Sequence, residues 1–224
     1  MKPTIAVLGG TGQEGGGLAL RWAHAGYPVV IGSREAGRAA AKAAEIAGRL
    51  GGGVVEGGDN RRAAERGDIV VLTVPYAAHR ATLEAVKDAL AGKLLVDVTV
   101  PLVPPQVARV QLPPEGSAAV AAQRLLGPTV KVVSAFQNVS AHLLESVTAP
   151  VDCDVLVCGD DKEARAAVVA LAEAAGMRGI HGGALANSAA AEALTSVLIF
   201  VNRRYGLKHS GIRFTGLPED GETR

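Results

Sequence analysis

The stretch TIAVLGGTGQEG, residues 4–15, decides the fold of this chain. The short apolar run over residues 4–8 predicts a buried strand, and residues 13–25 have the pattern of a helix closed by glycine. Between strand and helix stands a G-x-G-x-x-G pattern, formed by Gly10, Thr11, Gly12, Gln13, Glu14 and Gly15. This pattern is weak alone, but its strand–turn–helix context is the one that a dinucleotide-binding fingerprint requires.

Each glycine of the pattern has an expected role. Gly10 would make the tight turn, Gly12 would let the backbone approach a pyrophosphate, and Gly15 would let the helix pack closely on the strand. The helix N-terminus then offers free N–H groups and a positive dipole end to phosphates. A tight turn without a ligand is the alternative, and a P-loop is excluded because no Gly-Lys-Ser/Thr follows.

The residues after the second predicted strand indicate which dinucleotide would bind. An NAD enzyme usually has Asp or Glu there to hold the ribose 2′-hydroxyl, whereas this chain has Ser33 and Arg34. A hydroxyl and a guanidinium suit a 2′-phosphate, and Arg38 lies on the same helix face as Arg34. Glu35 could serve the NAD role, but a glutamate in a first helical turn is common because of the helix dipole. The pattern favours NADP.

Strand and helix patterns alternate along most of the chain, which predicts an α/β fold of the Rossmann type with a doubly wound, mostly parallel sheet. Residues 1–150 would form the NADP-binding domain, and residues 151–224 a smaller C-terminal domain ending in a loose polar tail, 215–224. Strands are predicted at Thr4–Leu8, Val29–Gly32, Val54–Val55, Ile69–Val74, Leu94–Val98, Val130–Ala135 and Val155–Cys158.

The composition excludes several classes of function. The 224 residues are 48% apolar and 3% aromatic, with 23 basic and 22 acidic side chains for a net charge of +1. This balance argues against nucleic acid or an anionic membrane as the main partner. The apolar runs, such as the four residues 5–8 and the five residues 197–201, are far shorter than the roughly 20 residues that span a bilayer, so neither a signal peptide nor a membrane span is predicted. Cys153 and Cys158 are expected to be reduced, as in a cytoplasmic protein.

A dedicated acid or base is not evident in the sequence. Tyr-x-x-x-Lys does not occur, and the five histidines have no metal-ligand spacing, so neither a catalytic side chain nor a metal site is predicted. His79 and His142 are the two histidines that follow strand ends. The pattern fits a reaction in which only hydride moves between two bound cofactors and positioning does most of the catalysis.

Further motifs resemble those of the F420-dependent NADP oxidoreductases, also called NADPH-dependent F420 reductases. The resemblance covers about residues 4–217. Its motifs are VLGGTG at 7–12, GLALR at 17–21, IGSR at 31–34, VLTVP at 71–75, VVSA at 132–135, VCGDD at 157–161, LANS at 185–188, EALT at 192–195 and GIRF at 211–214.

The resemblance implies direct hydride transfer between C4 of nicotinamide and C5 of the deazaflavin, with the two rings face to face. It places NADP contacts on Thr11, Gly12, Gln13 and Glu14 at the pyrophosphate, on Ser33, Arg34 and Arg38 at the 2′-phosphate, and on Val74, Ala78, Val100 and Ala141 at the nicotinamide end. It also implies a homodimer. The chain departs from the archaeal pattern at Gln137-Asn138, where those members have a His, which affects the expected deazaflavin contacts.

Two groups of side chains near the C-terminus, one basic and one apolar, each have two possible roles. A basic group could steer the anionic F420 tail or simply complement a helix C-terminus; it comprises Arg203, Arg204, Lys208, His209 and Arg213. An apolar stripe is typical of a core or a homodimer contact, although it could bind another partner; it comprises Leu194, Val197, Leu198 and Val201.

Two other functions remain open. One is an NADPH-dependent reductase of another small substrate, such as an imine, a carbonyl compound or a metal chelate. It would need a catalytic Lys, Asp or Tyr in the cleft. The other is a redox sensor that binds NADP(H) without turnover, which would have no open second pocket beside the dinucleotide.

Overall fold

The centre of the molecule is a single sheet whose middle strands are apolar on both faces. The computed structural model describes residues 1–217. Ile5–Leu8 and Ile69–Leu72 consist of buried apolar side chains, typical of strands covered by helices on both sides. The eight strands are β1 Ile5–Leu8, β2 Val29–Ser33, β3 Val55–Asp59, β4 Ile69–Leu72, β5 Leu94–Asp97, β6 Lys131–Ser134, β7 Asp154–Gly159 and β8 Arg178–Gly183.

The strand order is β3-β2-β1-β4-β5-β6-β7-β8. Strands β1 to β6 are parallel, with Ile5 opposite both Val29 and Ile69. Strand β7 runs antiparallel to β6, and β8 is parallel to β7. The Rossmann-type, mostly parallel α/β fold is therefore confirmed.

Helices cover both faces of the sheet. They are α1 Gln13–His24, α2 Ala36–Leu50, α3 Asn60–Arg66, α4 Tyr76–Val86, α5 Ala118–Leu126, α6 Lys162–Ala174 and α7 Ser188–Tyr205. One core lies between the sheet and helices α1, α2 and α6, and it contains the fully buried Trp22. The other lies on the opposite face, beneath α3, α4 and α5, and contains Leu83.

Strand β8 is absent from the sequence-based prediction, because three of its six residues are glycines and glycine is depleted in strands. The structure shows why glycine stands there. A Cβ on Gly179 would lie 3.0 Å from Val169 Cα, and one on Gly182 would lie 2.5 Å from Cys158 Sγ. The glycines therefore allow α6 and β7 to approach β8 closely. Strand β3 is also longer than predicted and extends to Asp59.

The predicted division at about residue 150 stays a prediction. Strands from both sides of that position belong to the same sheet. Of the predicted tail, residues 218–224 lie outside the described part of the chain. Cys153 and Cys158 are both buried and free.

A buried arginine attaches the segment after β6 to α1. Arg21 is 4% exposed, and its guanidinium donates to backbone carbonyls of Leu143, Ser146, Ala149 and Ala175. Burial lowers the pKa of this guanidinium. Within residues 1–217, every hydrogen bond of the guanidinium goes to a backbone carbonyl oxygen. The short helix Ala141–Glu145 is thereby fixed beside α1.

The last helix is only partly covered by the rest of the protein. Leu185–Tyr205 is the one segment of residues 1–217 with the length and composition of a membrane span, with a mean hydropathy of 1.3 and 28% burial. Length and composition alone are weak support for a membrane role. The exposed part includes Val197 and Phe200, whose residues are 45% and 57% exposed.

Candidate active site

A cleft of about 760 Å³ opens where β1, β2, β4, β5 and β6 end. The chain reverses its progress across the sheet between β1 and β4, and in open α/β sheets ligands bind in the crevice at such a point. The lining comes mainly from the residues that follow these strands: Gly9, Thr11, Gly12, Gln13, Glu14, Ser33, Arg34, Glu35, Arg38, Thr73, Val74, Pro75, Tyr76, Ala77, Ala78, Val98, Thr99, Val100, Gln137 and Val139.

The glycine turn after β1 forms one part of the cleft. Gly9, with φ 81°, takes the left-handed position of the turn, whereas Gly10 is confined because a Cβ there would lie 2.9 Å from the Val7 carbonyl. A Cβ on Gly15 would lie 2.2 Å from Thr73 Oγ1, so α1 meets the β4 loop only with glycine at this position. A Cβ on Gly12 would contact only the Gly9 carbonyl, at 3.5 Å. The space beside Gly12 is thus open to the cleft.

The N-terminus of α1 points its backbone toward this open space. Gly12 is the N-cap residue, and no side chain of the described residues caps the helix. The amides of the first turn therefore lack the intrahelical acceptors that later amides have, and they coincide with the positive end of the helix dipole. Such an end binds phosphate readily.

Glu14 introduces a carboxyl group into the same wall. Its Oε1 is buried and has no hydrogen-bond partner within residues 1–217. Burial raises the pKa of this carboxyl to about 8, because an ionised group there would lose its hydration. Below that pH the group is neutral, so it need not repel an anion at the helix N-terminus.

At the opposite end of the turn, the residues after β2 form a cationic surface. Ser33 ends the strand and is 7% exposed, and its Oγ accepts from the Glu35 amide at 3.3 Å. Arg34 and Arg38 are exposed and line the cleft together. The Glu35 carboxylate lies 3.4 Å from Arg38 Nη1, in an exposed ion pair. Asn60, which the sequence analysis did not single out, also lines this end, and its Oδ1 is buried without a hydrogen-bond partner among residues 1–217.

The other end of the cleft is lined by small apolar side chains. Val74, Ala78 and Val100 all lie there, after β4 and β5. Ala141 does not line the cleft; it begins the short helix that follows Val139, which does. Gly10 and Gly15 lie beneath the lining. The structure thus brings together ten of the thirteen residues predicted for the cofactor site, with Gly10, Gly15 and Ala141 as the exceptions.

A buried polar network lies under the apolar end. His79 Nε2 lies 2.7 Å from Asp97 Oδ2, and the other carboxylate oxygen accepts from the Thr99 amide at 3.0 Å. Gln137 Nε2 donates to the Asp97 carbonyl at 2.8 Å. His79 is therefore a partner of Asp97 and does not line the cleft. His142 is exposed and lies 3.6 Å from Glu145, outside the cleft.

Helix α7 supplies one wall of the apolar end. Thr195 lines the cleft, and its Oγ1 donates to the Gln137 carbonyl at 2.8 Å. One turn away, the carboxyl oxygens of Glu192 accept from the Ala118 and Ala119 amides at 2.7 and 3.1 Å and so cap α5. Burial raises the pKa of Glu192 to about 8, although the two amide donors act in the opposite direction.

The basic group at the C-terminus lies outside the cleft lining. Arg203 and Arg204 are exposed in the last turn of α7, where they also complement the helix dipole. Lys208 is exposed, His209 lies 3.2 Å from Ser140 Oγ, and Arg213 pairs with Asp152.

Comparisons with known proteins identify the family. Residues 4–101 match the family model "NADP oxidoreductase coenzyme F420-dependent". The chain is 44% identical to the F420-dependent NADP reductase of Methanocaldococcus jannaschii, across 95% of this chain and 98% of the relative. It is 45% identical to the F420-dependent NADP reductase of Methanothermobacter thermautotrophicus, across 98% and 97%.

A solved structure shares the fold over nearly the whole length. A crystal structure from Arthrobacter sp. FB24 matches with a TM-score of 0.81 and 28% identity, over 94% of this chain and 98% of the other. Because both curated relatives are matched almost from end to end, the similarity extends beyond the dinucleotide fingerprint to β7, β8 and α7. The chain belongs to the family of F420-dependent NADP reductases.

Proposed function

We propose that this protein transfers a hydride between NADP(H) and the deazaflavin coenzyme F420. The observation that carries the proposal is a single cleft with two chemically different ends. One end presents the Ser33 hydroxyl with two guanidinium groups, and the other presents small apolar side chains. The full-length similarity to relatives named F420-dependent NADP reductase supports the same activity.

The phosphate end fits NADP(H). The open space beside Gly12 and the uncapped N-terminus of α1 suit a pyrophosphate, and Ser33, Arg34 and Arg38 suit a 2′-phosphate. Glu14 can remain neutral beside these phosphates at pH 7, because burial raises its pKa to about 8. Gly10 and Gly15 would act from beneath, by shaping the turn and allowing α1 to pack.

The apolar end fits two flat rings. NADPH, when bound, would supply the hydride, and a proton taken up from solvent at the open edge of the deazaflavin ring would complete the two-electron reduction. Val74, Ala78 and Val100 would exclude water from the ring surfaces, and their small size leaves space for close approach. Ala141 does not line this end, and it would affect the rings only through the position of Val139, two residues before it. In this proposal the C-terminal part, through Thr195 of α7, closes the deazaflavin side.

No single side chain is proposed as catalytic. The titratable side chains that line the described cleft are Glu14, Arg34, Glu35, Arg38 and Tyr76. Direct hydride transfer needs orientation and a dry site more than an acid, so positioned backbone and apolar groups suffice.

Tyr76 distinguishes the main alternative. Burial raises the pKa of its phenol, with added contributions from Glu115 and Glu192, so the phenol is neutral at pH 7. A reductase of imines or carbonyl compounds would use such a donor beside the ring. Loss of activity in Tyr76→Phe with a carbonyl or imine substrate would favour that alternative, whereas F420 reduction is expected to survive the change.

The exposed basic group is proposed to steer the F420 tail, which carries a phosphate and glutamates. Arg203, Arg204 and Lys208 are exposed and offer positive charge after α7. His209 and Arg213 are partly engaged with Ser140 and Asp152. A steering role predicts that their replacement raises the KM for F420 at low ionic strength and that added salt removes the difference.

We also propose that the protein is a homodimer joined through α7. The exposed apolar side chains Val197 and Phe200 lie on one helix, and two-fold pairing would cover them with a second copy of themselves. Phe200→Glu should yield a monomer in light scattering. An unchanged oligomeric state, or a monomeric wild type, would contradict the proposal.

A cytoplasmic location is proposed on two grounds. Both cysteines are free and buried, which is typical of proteins in reducing compartments. NADP(H) and F420 would also be used there as soluble co-substrates. Neither nucleic acid nor a membrane is proposed as a partner, given the net charge of +1.

The experiment that tests the function mixes the purified chain with NADPH and oxidised F420 and follows the visible absorbance of the deazaflavin. Rapid bleaching is expected with NADPH and much slower bleaching with NADH. Arg61→Ala, which removes only a surface ion pair with Glu65, is a matched control for the arginines of the cleft. Tight NADPH binding without bleaching would exclude the F420 reaction and leave the sensor or another substrate.

A further inference from the structure

Two polar atoms at the ring end of the cleft lack any partner within the described residues. Thr99 Oγ1 and Gln137 Oε1 are both buried and make no hydrogen bond. Their residues are 3% and 6% exposed, and both line the cleft. Buried polar groups nearly always have partners, so a pair of orphaned atoms in a cleft wall indicates a ligand.

Asp97 orients the Gln137 side chain and holds the backbone of Thr99. Gln137 Nε2 donates to the Asp97 carbonyl at 2.8 Å, and because a carbonyl can only accept, the free atom of the amide is its oxygen. The Thr99 amide donates to Asp97 Oδ1 at 3.0 Å, which holds the residue that carries the free hydroxyl. His79 lies against the second carboxylate oxygen. Both orphaned atoms therefore belong to residues that hydrogen-bond to the fully buried Asp97, Gln137 through its side chain and Thr99 through its backbone amide.

The pair offers one acceptor and one hydroxyl, on two residues that line the cleft and share Asp97 as a hydrogen-bond partner. Together they complement an amide edge, in which an N–H stands next to a C=O. We propose that Thr99 and Gln137 form a subsite that binds the amide edge of a reacting ring: the N–H donates to Gln137 Oε1, and the C=O accepts from the Thr99 hydroxyl. The inference rests on the proposed function, because the nicotinamide carboxamide and the cyclic imide of the deazaflavin both have this edge.

The test uses the full chain and replaces the hydroxyl with a methyl group of the same shape. Thr99→Val should weaken binding of one ring by about 5–10-fold, the effect of one hydrogen bond, and Thr99→Ser should restore most of it. Gln137→Leu is the second variant. Calorimetry measures NADP⁺ and 2′-phospho-ADP-ribose, which lacks the nicotinamide, and F420 binding is followed by its fluorescence.

The arms separate the two sources of the amide edge. Weaker NADP⁺ binding with unchanged 2′-phospho-ADP-ribose binding would assign the subsite to nicotinamide, and weaker F420 binding alone would assign it to the deazaflavin. Thermal unfolding without ligand tests independently whether the Thr99 hydroxyl lacks a partner in the free protein. Thr99→Val should then melt at the same temperature as wild type or at a higher one, because it removes an unpartnered buried hydroxyl. A fall in melting temperature with unchanged ligand affinities would overturn the proposal.

Failure of this subsite and failure of the proposed function give different results. If wild-type protein does not reduce F420 but Thr99→Val weakens NADP⁺ binding, the subsite stands and the proposed function fails. If F420 is reduced and both Thr99→Val and Gln137→Leu bind every ligand like wild type, the subsite fails and the proposed function stands.

Discussion

The two ends of the cleft are built in different ways. At the phosphate end, all the lining groups except Asn60 come from two short stretches, residues 9–14 and 33–38, and the arginines are exposed. At the ring end, they come from the loops after β4, β5 and β6 and from α7, and the polar groups are buried. Recognition of charge can therefore be local in the sequence, whereas a ring site depends on which strands and helices become neighbours.

The largest effect is expected from removing both guanidinium groups at the phosphate end. Arg34→Ala combined with Arg38→Ala should lower kcat/KM for NADPH by about 100-fold or more, because hydrogen bonds to charged groups contribute about 1.5–3 kcal/mol each. Steady-state kinetics with NADH should change little. The control is Arg61→Ala with Arg80→Ala, which breaks two exposed ion pairs. Equal losses with both cofactors would contradict a 2′-phosphate role.

The next effect tests whether α7 supports the ring end independently of the phosphate end. Glu192→Ala leaves the Ala118 and Ala119 amides without an acceptor, so the free energy of unfolding should fall by about 2–3 kcal/mol. Chemical denaturation measures it, with Glu163→Ala, at an exposed position of α6, as control. Binding of 2′-phospho-ADP-ribose should stay unchanged in the folded variant; a parallel loss there would show that the two ends are coupled.

A smaller effect follows from filling the ring end. Ala78→Leu places a larger side chain in the cleft and should slow F420 reduction by about 10-fold, since overpacking typically costs about 1–3 kcal/mol. Affinity for 2′-phospho-ADP-ribose should remain that of wild type. Ala81→Leu, at an exposed position of the same helix, is the matched control. Normal F420 turnover in Ala78→Leu would mean that the rings lie elsewhere.

The smallest effect concerns the pH dependence of cofactor binding. Burial raises the pKa of Glu14 to about 8, and phosphate anions nearby would raise it further in the complex. The complex then holds the proton more tightly than the free protein, so affinity for NADP⁺ should fall several-fold as pH rises through about 8. Titrations at pH 7 and 9 measure it.

Glu14→Gln should remove most of this pH dependence, because the amide stays neutral across the range. Glu84→Gln, a surface carboxylate paired with Arg80, should leave it in place. A pH profile for Glu14→Gln that matches wild type would show that another group titrates.

Much of the phosphate end could be predicted because its parts are consecutive in the chain. The fingerprint glycines, Ser33 and Arg34 each follow a strand whose apolar pattern is evident, and parallel strands place their ends at one edge. The role of Gly9 in the turn could not be predicted, because glycine sequence alone does not reveal which residue has positive φ. Asn60 was missed because its contact with the cleft depends on where α3 meets β2.

For the ring end, the sequence predicted that small apolar side chains would line the cleft, but it did not predict all of their positions. Val74 and Val100 follow strands and lie in the cleft, but Ala141 lies outside the lining, because Arg21 holds the segment that contains it beside α1. The orphaned atoms of Thr99 and Gln137 had no signal in the sequence. Their significance depends on Asp97, which occupies one partner site of each residue and leaves the other free.

The sequence by itself determined the alternation of strands and helices, the glycine turn after β1 and the Ser33 and arginine groups on which the predicted preference for a 2′-phosphate rests, because each depends on residues within a few positions of one another. Only the tertiary structure decided the antiparallel direction of β7, the addition of the glycine-rich β8 and the wall formed by α7. Those features depend on contacts between residues far apart in the chain, such as Gly182 with Cys158 and Glu192 with Ala118. The periodicity of apolar residues predicts which side chains are buried, but it does not predict which distant residues they pack against.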